Sequence, residues 1–481
     1  MRLIHPLIIV RILSTILLIE TVSFLFCLPV AFIYHESPWP FILSAISTAV
    51  MFFVFHQISR KADTGNVSNR DGFLAVTLAW VIFSIMGTLP YIFSGTIPSF
   101  VNAFFESSSG FSTTGSSILT DVEVLPFSIL FWRSLTHWIG GLGIIVLVII
   151  ILPSLKITGY QLLSLESSLK EKIHPKTKAI GFRILFIYIG LTLAETILLN
   201  IGDMTFFDSI CHSFGTIATG GFSTKNNSLQ FYSSYNQYIV MIFMFLAGTS
   251  QVVFYYLFKF NFKKVIHNEE FWFYLGVTIV SGASVTAILL FQTNIAFEQA
   301  FRNGFFNIIS ILTTTGFYST DFILWPVPAL IIIFLLLFAG ASTGSTAGSI
   351  KMARHFIALK NIKSVFTKLN HPRALTNVRF NGKILSDQTN IAIISFIVLY
   401  VFFFIIGTFI LVISGSDIVS AASAAAASLG NIGPGLGTVG PIYNYEHFSD
   451  FIKVVLSLLM IIGRLEIITV FTLFTRSFWK L

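Results

Sequence analysis

Four short segments of Thr, Gly and other small residues interrupt an otherwise apolar chain. Each lies between two apolar runs, and successive segments are about 100 residues apart, which marks an internal repeat. Backbone without regular structure is tolerated at membrane depth only where it is buried in protein or lines water. A ring of backbone carbonyls can replace the hydration shell of an ion, and glycine opens conformations closed to other residues. The segments could therefore line an ion filter; they contain Thr113, Thr114 and Gly115; Ala218, Thr219 and Gly220; Thr314, Thr315 and Gly316; and Asn431, Ile432 and Gly433.

A run that could form half a helix precedes each segment, at residues 104–107, 206–209, 305–307 and 421–428. Glu106 and Asn307 stand at the same offset before Gly115 and Gly316. A helix C-terminus carries partial negative charge, so four half-helices could point their negative ends at a common axis. A single polar turn rich in Thr and Gly is usually only a turn, but four at corresponding positions favour the filter.

Composition places the chain in a membrane. Of its 481 residues 55% are hydrophobic and only 10% charged, and the mean hydropathy is +0.84. A soluble protein carries about 25% charged residues. Cys27 and Cys211 are too few and too far apart in sequence to suggest a disulfide framework or a metal site. In a membrane protein the distribution of charge matters more than its total, so the net charge of +8 does not by itself suggest nucleic acid.

The elements that must position the four segments are apolar runs of about 20 residues, the length that crosses a bilayer. The first apolar run, from Ile12 to Ile33, follows Arg2 and Arg11. It is longer than a signal-peptide core and has no clear cleavage site, so we expect it to be a retained span. The predicted spans lie near residues 7–33, 38–58, 72–95, 125–152, 180–201, 236–258, 271–292, 327–350, 388–413 and 450–475.

Charge alternates between the links. Basic residues gather in the links at 59–70, 153–183, 259–264 and 351–383, and the last of these has no Asp or Glu. The intervening links carry most of the acidic residues, among them Glu106, Asp208, Glu298 and Asp417. By the positive-inside rule both termini are cytoplasmic, and all four Thr/Gly segments fall on the outer side.

The predicted fold is an all-α polytopic membrane protein with about ten transmembrane helices. An N-terminal helix pair at 1–60 precedes four units of helix, pore loop and helix around a central pore. We expect these units at residues 71–152, 180–260, 271–360 and 387–476, the third with a broken second helix.

Seven stretches make the chain resemble the Trk/Ktr/HKT superfamily of potassium-translocating proteins, and its TrkH/TrkG type in particular, over nearly the whole chain. They are the Thr/Gly segments together with residues 131–143, 339–351 and 463–466. The additional N-terminal pair favours this type over the shorter KtrB type. The resemblance implies that Gly115, Gly220, Gly316 and Gly433 are the filter glycines, that Gly115 favours K⁺ over Na⁺, and that K⁺ sits at Thr114, Thr219, Thr315 and Ile432.

Residues 339–349 are mostly Gly, Ser and Thr, a poor composition for a continuous helix. Close helix packing through small residues is one interpretation; we prefer a broken helix. The resemblance implies that this stretch is an intramembrane gate below the filter. The gate residues would be Gly340, Ala341, Ser342, Thr343, Gly344, Ser345, Thr346, Ala347 and Gly348, with Lys351 and Arg464 beside them.

Arg464 lies at membrane depth in the last predicted span, where a charge usually faces a cavity or a partner. Glu466 is two residues away and would not face it on a helix. The resemblance implies an electrostatic barrier; a structural pair with another helix is the alternative. We expect Glu20 and Glu195 to form helix–helix hydrogen bonds, and His137 and Arg133 to be interfacial.

Two other functional classes compete. A secondary transporter of another cation such as sodium would have two halves of opposite orientation, whereas this chain has four parallel units. A membrane enzyme would need a nucleophile elbow, a metal-ligand cluster or paired carboxylates, and we find none of these motifs in the sequence.

The basic link at 351–383 could bind anionic lipid. The resemblance instead implies a cytosolic TrkA-like regulator that binds NAD(H) or ATP/ADP, a homodimer and a bacterial inner membrane. K⁺ would be the transported ion, with no organic cofactor in this chain and no nucleic-acid partner.

Overall fold

Long apolar stretches with few helix breakers fold here almost entirely into helices. The computed structural model describes residues 4–62, 68–146, 177–374 and 376–479. The chain opens with α1 (Pro6–Ile33) and α2 (Trp39–Ile58), which pack against each other as a hairpin. Large apolar side chains such as Phe26 and Phe53 are exposed on them, as expected for helices that face lipid.

Four units of similar design follow the hairpin. In the first two, a long helix leads to a short one that points at the centre, and a further helix runs back. The first unit contains α3 (Asn69–Met86), α4 (Leu89–Phe93), α5 (Phe100–Phe111) and α6 (Phe127–Val146). The second contains α7 (Thr177–Ile201), α8 (Phe206–Ile217), α9 (Ser234–Ala247), α10 (Gln251–Phe258) and α11 (Phe262–Ile266).

The third and fourth units add small departures from this plan. The third contains α12 (Glu269–Gln292), α13 (Phe297–Leu312), a 3-10 turn (Phe322–Leu324), α14 (Val327–Leu336), β1 (Ala339–Gly340), β2 (Ile350–Lys351), α15 (Met352–Asn370), β3 (Arg379–Phe380) and β4 (Lys383–Ile384). The fourth contains α16 (Asp387–Ile413), α17 (Ile418–Gly430), a 3-10 turn (Gly437–Val439), α18 (Asp450–Arg464), α19 (Ile467–Thr472) and α20 (Arg476–Trp479).

The strands are minimal and local. β1 pairs with β2 in parallel, with Ala339 opposite Ile350. β3 pairs with β4 in an antiparallel hairpin, with Arg379 opposite Ile384. The all-α prediction is therefore confirmed for the part of the chain that the structure describes.

Short helices α5, α8, α13 and α17 are the predicted half-helices, here called pore helices. Their inner halves are buried, and five of the six Ala residues of α17 have no exposed surface. Side chains of Ser99, Thr205 and Asp417 cap α5, α8 and α17, because each accepts a hydrogen bond from a backbone N–H of the first turn. The Ser420 hydroxyl and N–H hold the pKa of Asp417 below its ordinary value.

Fewer continuous spans are present than the sequence predicts. Among the described residues six helices are long and apolar enough to cross a membrane, or seven if one bent pair counts as a span. The end of the fourth predicted run and most of the basic link at 153–183 lie outside the described residues. The helix of the eighth run ends at Leu336, and that of the tenth breaks at Glu466, whose φ is +59°.

The sixth predicted span is not a straight helix. α9 and α10 meet at 99° across Gly248, Thr249 and Ser250. The Gly248 carbonyl accepts a hydrogen bond of 3.0 Å from the Ser342 N–H, and a Cβ on Gly248 would lie 2.7 Å from the Tyr274 hydroxyl. The bend therefore makes room for the chain that follows the break in the third unit.

Candidate functional site

The four pore helices end in the same backbone turn. One residue in each turn has a left-handed conformation, with φ of 53° at Thr113, 56° at Thr219, 56° at Thr314 and 54° at Asn431. Two residues further along, a glycine again has positive φ, and the four values lie between 82° and 96°. These glycines are Gly115, Gly221, Gly316 and Gly433. We call residues 113–115, 219–221, 314–316 and 431–433 the four-segment ring.

Each ring glycine lies against a carbonyl oxygen of another segment, and these contacts close a cycle. Gly115 faces the carbonyl oxygen of Gly220. Gly221 faces the carbonyl oxygen of Thr315, and Gly316 faces the carbonyl oxygen of Ile432. Gly433 closes the cycle, since a Cβ built on it would lie 2.7 Å from the Thr114 oxygen. A side chain at any of the four would strike a backbone oxygen, so the packing as well as the positive φ requires glycine.

All four ring glycines also line one cavity of about 160 Å³. Arg133, Asn226 and Tyr445 contribute to the same cavity. The ring therefore borders a space open to small solutes, which is what an ion pathway needs.

The second segment is shifted by one residue from its predicted register. α8 ends at Ile217 and Ala218 is its C-cap, so Thr219 takes the place that Thr113 has in the first segment. Gly221 is then the ring glycine, and the carbonyl that corresponds to that of Thr114 belongs to Gly220. The sequence placed Gly220 at the position of the ring glycine and Thr219 at the position whose carbonyl faces the neighbouring segment. This register was wrong by one residue, because α8 ends one residue later than a Thr-X-Gly template assumes.

Polar side chains of three pore helices hold the chain that leaves the ring. Glu106 accepts hydrogen bonds of 3.0 Å from the Ser117 hydroxyl and 3.1 Å from the Ile118 N–H. His212 Nε2 and the Ser223 hydroxyl are 2.9 Å apart, and the Asn307 amide donates to the Ser319 hydroxyl at 3.2 Å. Counted from Gly115, Gly221 and Gly316, these three side chains occupy the same position.

His212 was not predicted, because the register error hid its correspondence with Glu106 and Asn307. In the fourth segment Ser423 takes over this task. Its hydroxyl accepts a hydrogen bond of 2.9 Å from the Leu436 N–H.

Arg133 and His137 on α6 are buried, which corrects the expectation that they are interfacial. Arg133 forms an ion pair of 2.9 Å with Glu106 and donates to the Ser223 carbonyl at 3.2 Å. Its guanidinium also stacks on the Phe222 ring, 4.1 Å from the centroid.

His137 joins the same two units. Its Nε2 accepts a hydrogen bond of 3.1 Å from the Phe222 N–H, so Nδ1 carries the proton and donates to the Gly110 carbonyl at 2.8 Å. Both side chains therefore connect the first pore helix to the chain directly after the second ring segment. Sequence position alone could not show this, because the covering elements come from distant parts of the chain.

The chain between β1 and β2, residues 341–349, lies directly against the ring; we call it the small-residue loop. The Thr346 hydroxyl is 3.2 Å from that of Thr219 and donates to the Ile217 carbonyl at 3.1 Å. The Gly348 N–H donates to the Thr314 hydroxyl at 2.7 Å. The loop therefore contacts the ring on the side toward which the pore helices point.

Lys351 and Glu270 lie outside the loop and bind residues within it. The Lys351 ammonium donates to the Ala347 carbonyl and lies 3.5 Å from the Ser345 hydroxyl. Glu270 is buried in the first turn of α12 and accepts hydrogen bonds from the Thr343 and Ala353 N–H groups. The sequence did not single out Glu270, because its partners are backbone atoms.

Arg464 reaches the loop from the end of α18. It is 3% exposed, and it donates to the Thr346 carbonyl at 2.6 Å and to the Gly140 carbonyl at 3.3 Å. Glu466 pairs with Arg354 at 2.6 Å. The ring, the loop and Arg464 thus meet at Thr346.

Glu20 and Glu195 are completely buried. Glu195 lies near the Thr216 hydroxyl of α8. For both residues the expected helix–helix hydrogen bond is absent within the described part of the chain.

Comparison with known proteins identifies the family. Residues 42–481 match the family TrkH, described as a cation transport protein. The Trk system potassium uptake protein TrkH of Escherichia coli (strain K12) is 33% identical over 427 residues, which cover 87% of this chain and 88% of the relative. The potassium uptake protein TrkG of the same strain is 33% identical over 423 residues, 85% of this chain and 86% of the relative.

A solved structure matches the whole chain. The crystal structure of the potassium transporter TrkH from Vibrio parahaemolyticus superimposes with a TM-score of 0.90 and 31% identity, covering 99% of this chain and 100% of that one. Family and fold place the chain among transport proteins and not among enzymes. The chain is a polytopic membrane protein and belongs to the TrkH family of cation transport proteins, as a member of the TrkH/TrkG type.

Proposed function

We propose that this chain translocates K⁺ across the bacterial inner membrane, with the four-segment ring as its selectivity filter. The observation that carries the proposal is the closed cycle of contacts between ring glycines and carbonyl oxygens, with all four glycines on one cavity. The relatives that cover most of the chain are named potassium uptake proteins, which supports K⁺ as the ion.

The chemistry of selection is coordination by backbone oxygen. Carbonyls of Thr114, Gly220, Thr315 and Ile432 recur at equivalent places in the ring, and such oxygens can replace the water around K⁺. The C-terminal ends of the pore helices add partial negative charge toward the ring, which favours a cation there. Gly220 replaces the predicted Thr219 in this set because of the shifted register.

The small-residue loop and Arg464 form the gate in this proposal. The loop lies against one side of the ring, and Arg464 places a positive charge behind it. A cation that leaves the ring on this side would meet both the loop and a like charge, so the pathway conducts when the loop moves away.

Both termini are cytoplasmic in this proposal, and a TrkA-like regulator that binds NAD(H) or ATP/ADP docks on the basic link at 351–383. Lys360, Lys363 and Arg379 of this link line a cavity of about 460 Å³. Lys360 is paired with Glu269, and Lys363 and Arg379 offer positive charge to a partner or to anionic lipid. We further propose that the chain acts as a homodimer.

Uptake of radioactive rubidium into vesicles that contain the purified chain tests the function. We expect uptake well above that of empty vesicles, strong competition by potassium and weak competition by sodium. Competition by sodium equal to that by potassium would contradict the filter assignment and favour a transporter of another cation.

A further inference from the structure

One buried carboxylate joins the two ends of the small-residue loop. Glu270 Oε1 accepts a hydrogen bond of 2.6 Å from the Thr343 N–H, near the start of the loop. The same oxygen accepts a second bond of 3.0 Å from the Ala353 N–H, in the first turn of the helix that follows the loop. A single oxygen atom therefore ties together two points between which the whole inner part of the loop runs.

The Glu270 carboxylate is positioned by the first turn of a capped helix. Glu270 is completely buried and belongs to the first turn of α12, where the partial positive charge of the helix N-terminus favours a negative side chain. Asn268 caps this helix, since its side chain accepts a hydrogen bond of 2.9 Å from the Phe271 N–H. The tether thus comes from a long helix and not from a flexible segment.

The preceding residue, Glu269, has other partners. It accepts hydrogen bonds of 2.9 Å from the Lys360 ammonium and 2.7 Å from the Asn381 N–H, both outside the loop. Of these two neighbouring glutamates, Glu270 therefore binds the loop and Glu269 binds the β3–β4 hairpin. This gives a matched control for the role of Glu270.

The bonds from Glu270 are stronger than those between the loop and the ring. Thr346 meets Thr219, and Gly348 meets Thr314, through neutral groups only. Hydrogen bonds to an ionised group are stronger than those between neutral partners, and they are stronger still in a buried site. Three charged side chains reach the loop from outside it within the described ranges, Glu270, Lys351 and Arg464, and of these Glu270 is the acidic one.

We propose that Glu270 is a positioning residue that keeps the small-residue loop against the ring and so holds the pathway closed. This inference rests on the proposed transport function. Displacing the loop from the ring requires Thr343 to move relative to α15, and this movement is opposed while one oxygen of Glu270 binds the N–H groups of both Thr343 and Ala353. Removal of the carboxylate should increase the population of the displaced loop and therefore the flux.

Rubidium uptake into vesicles tests the proposal with three variants and the unchanged chain. Glu270→Ala should raise the initial rate by at least tenfold, since the loss of even one hydrogen bond to a charged group shifts an equilibrium by about that factor. Glu270→Gln should give a smaller rise, since its amide oxygen can still accept but carries no charge. Glu269→Ala should leave the rate unchanged.

A double variant separates loop positioning from general stability. In a chain that lacks residues 341–348 the tether has no loop to hold, so Glu270→Ala should add nothing to the uptake of that deletion. Additive effects, or an unchanged or lowered rate in Glu270→Ala, would overturn the proposal. If Glu270→Ala does not fold, Glu270→Asp gives the same test, because its shorter side chain does not reach both N–H groups.

A second readout does not depend on transport. Ser345→Cys places a thiol in the buried loop, and a maleimide should modify it faster when Glu270→Ala is added. Equal labelling rates would refute the tether even if the chain transports. Absence of rubidium uptake by the unchanged chain together with faster labelling would instead refute the transport function and leave the tether standing.

Discussion

Arg464 donates a hydrogen bond of 2.6 Å to the carbonyl oxygen of Thr346, whose hydroxyl lies 3.2 Å from that of Thr219. A buried cation on α18 is therefore linked through one loop residue to the ring itself. Glu466 binds Arg354 and not Arg464, and the contact of Arg464 with the loop supports the gating role that we propose for it.

Replacement of Arg464 by Ala should raise rubidium uptake. The variant loses a charged hydrogen bond to the loop, worth about 1.5–3 kcal/mol, and it removes the positive charge behind the ring. A shift of about 1.4 kcal/mol changes an equilibrium tenfold, so a rise of about tenfold or more is expected. Arg464→Lys keeps the charge but not the paired contacts to Thr346 and Gly140, so its rubidium uptake should lie between that of the unchanged chain and that of Arg464→Ala. Wild-type uptake by Arg464→Ala at normal expression would contradict the gating role.

Shortening the small-residue loop over residues 341–348 should also raise uptake, because the deleted chain includes the contacts of Thr346 and Gly348 with the ring. The measurement is rubidium flux at equal protein content, together with competition by sodium. Since the ring itself is unchanged, selectivity should be retained. A deletion that leaves the flux unchanged would show that the loop does not limit it.

Gly221→Ala and Gly433→Ala should abolish selective uptake. A Cβ at either position strikes a carbonyl oxygen, of Thr315 or Thr114, and also occupies a left-handed conformation that costs roughly 1–3 kcal/mol. Gly190→Ala is the matched control, since a Cβ there meets nothing within 4 Å. Full selective uptake by Gly221→Ala would contradict the corrected register of the second segment.

The ion pair between Arg133 and Glu106 should dominate the stability of the first two units. Both side chains are buried, at 2% and 0% exposure, so loss of one partner leaves an unpaired charge and should cost about 3–5 kcal/mol. Thermal unfolding of the detergent-solubilised chain would measure this for Arg133→Ala and Glu106→Ala. The double variant should lose clearly less than the sum of the two single losses. A strictly additive result would mean that the two groups do not interact.

The sequence predicted the parts of the fold that follow from local composition. Apolar runs gave the long helices, and the Gly, Ser and Thr content of residues 339–349 indicated the break after Leu336. The Thr/Gly segments indicated where the ring lies. Each of these features is encoded within a few turns of chain.

Features that depend on distant partners were missed or misplaced. The bend at Gly248 results from packing against Ser342 and Tyr274, so it cannot be predicted from the apolar run itself. The burial of Arg133 and His137 comes from α5 and the second ring segment. The register of Thr219, Gly220 and Gly221 was set by where α8 ends, which a repeat template could not locate to one residue.

The closed cycle of glycine contacts has a consequence for how the chain assembles. Its last contact joins Gly433 to Thr114, and the Asn431 amide donates to the Thr114 hydroxyl across 317 residues of sequence. During synthesis the first three segments can meet their neighbours in turn, but the first lacks its remaining neighbour until the fourth unit has been inserted. Long-range contacts of this kind form late. Ribosome-bound chains that stop before residue 418 should therefore contain an open arc with no closed passage for ions, so the pathway comes into existence only with the final unit.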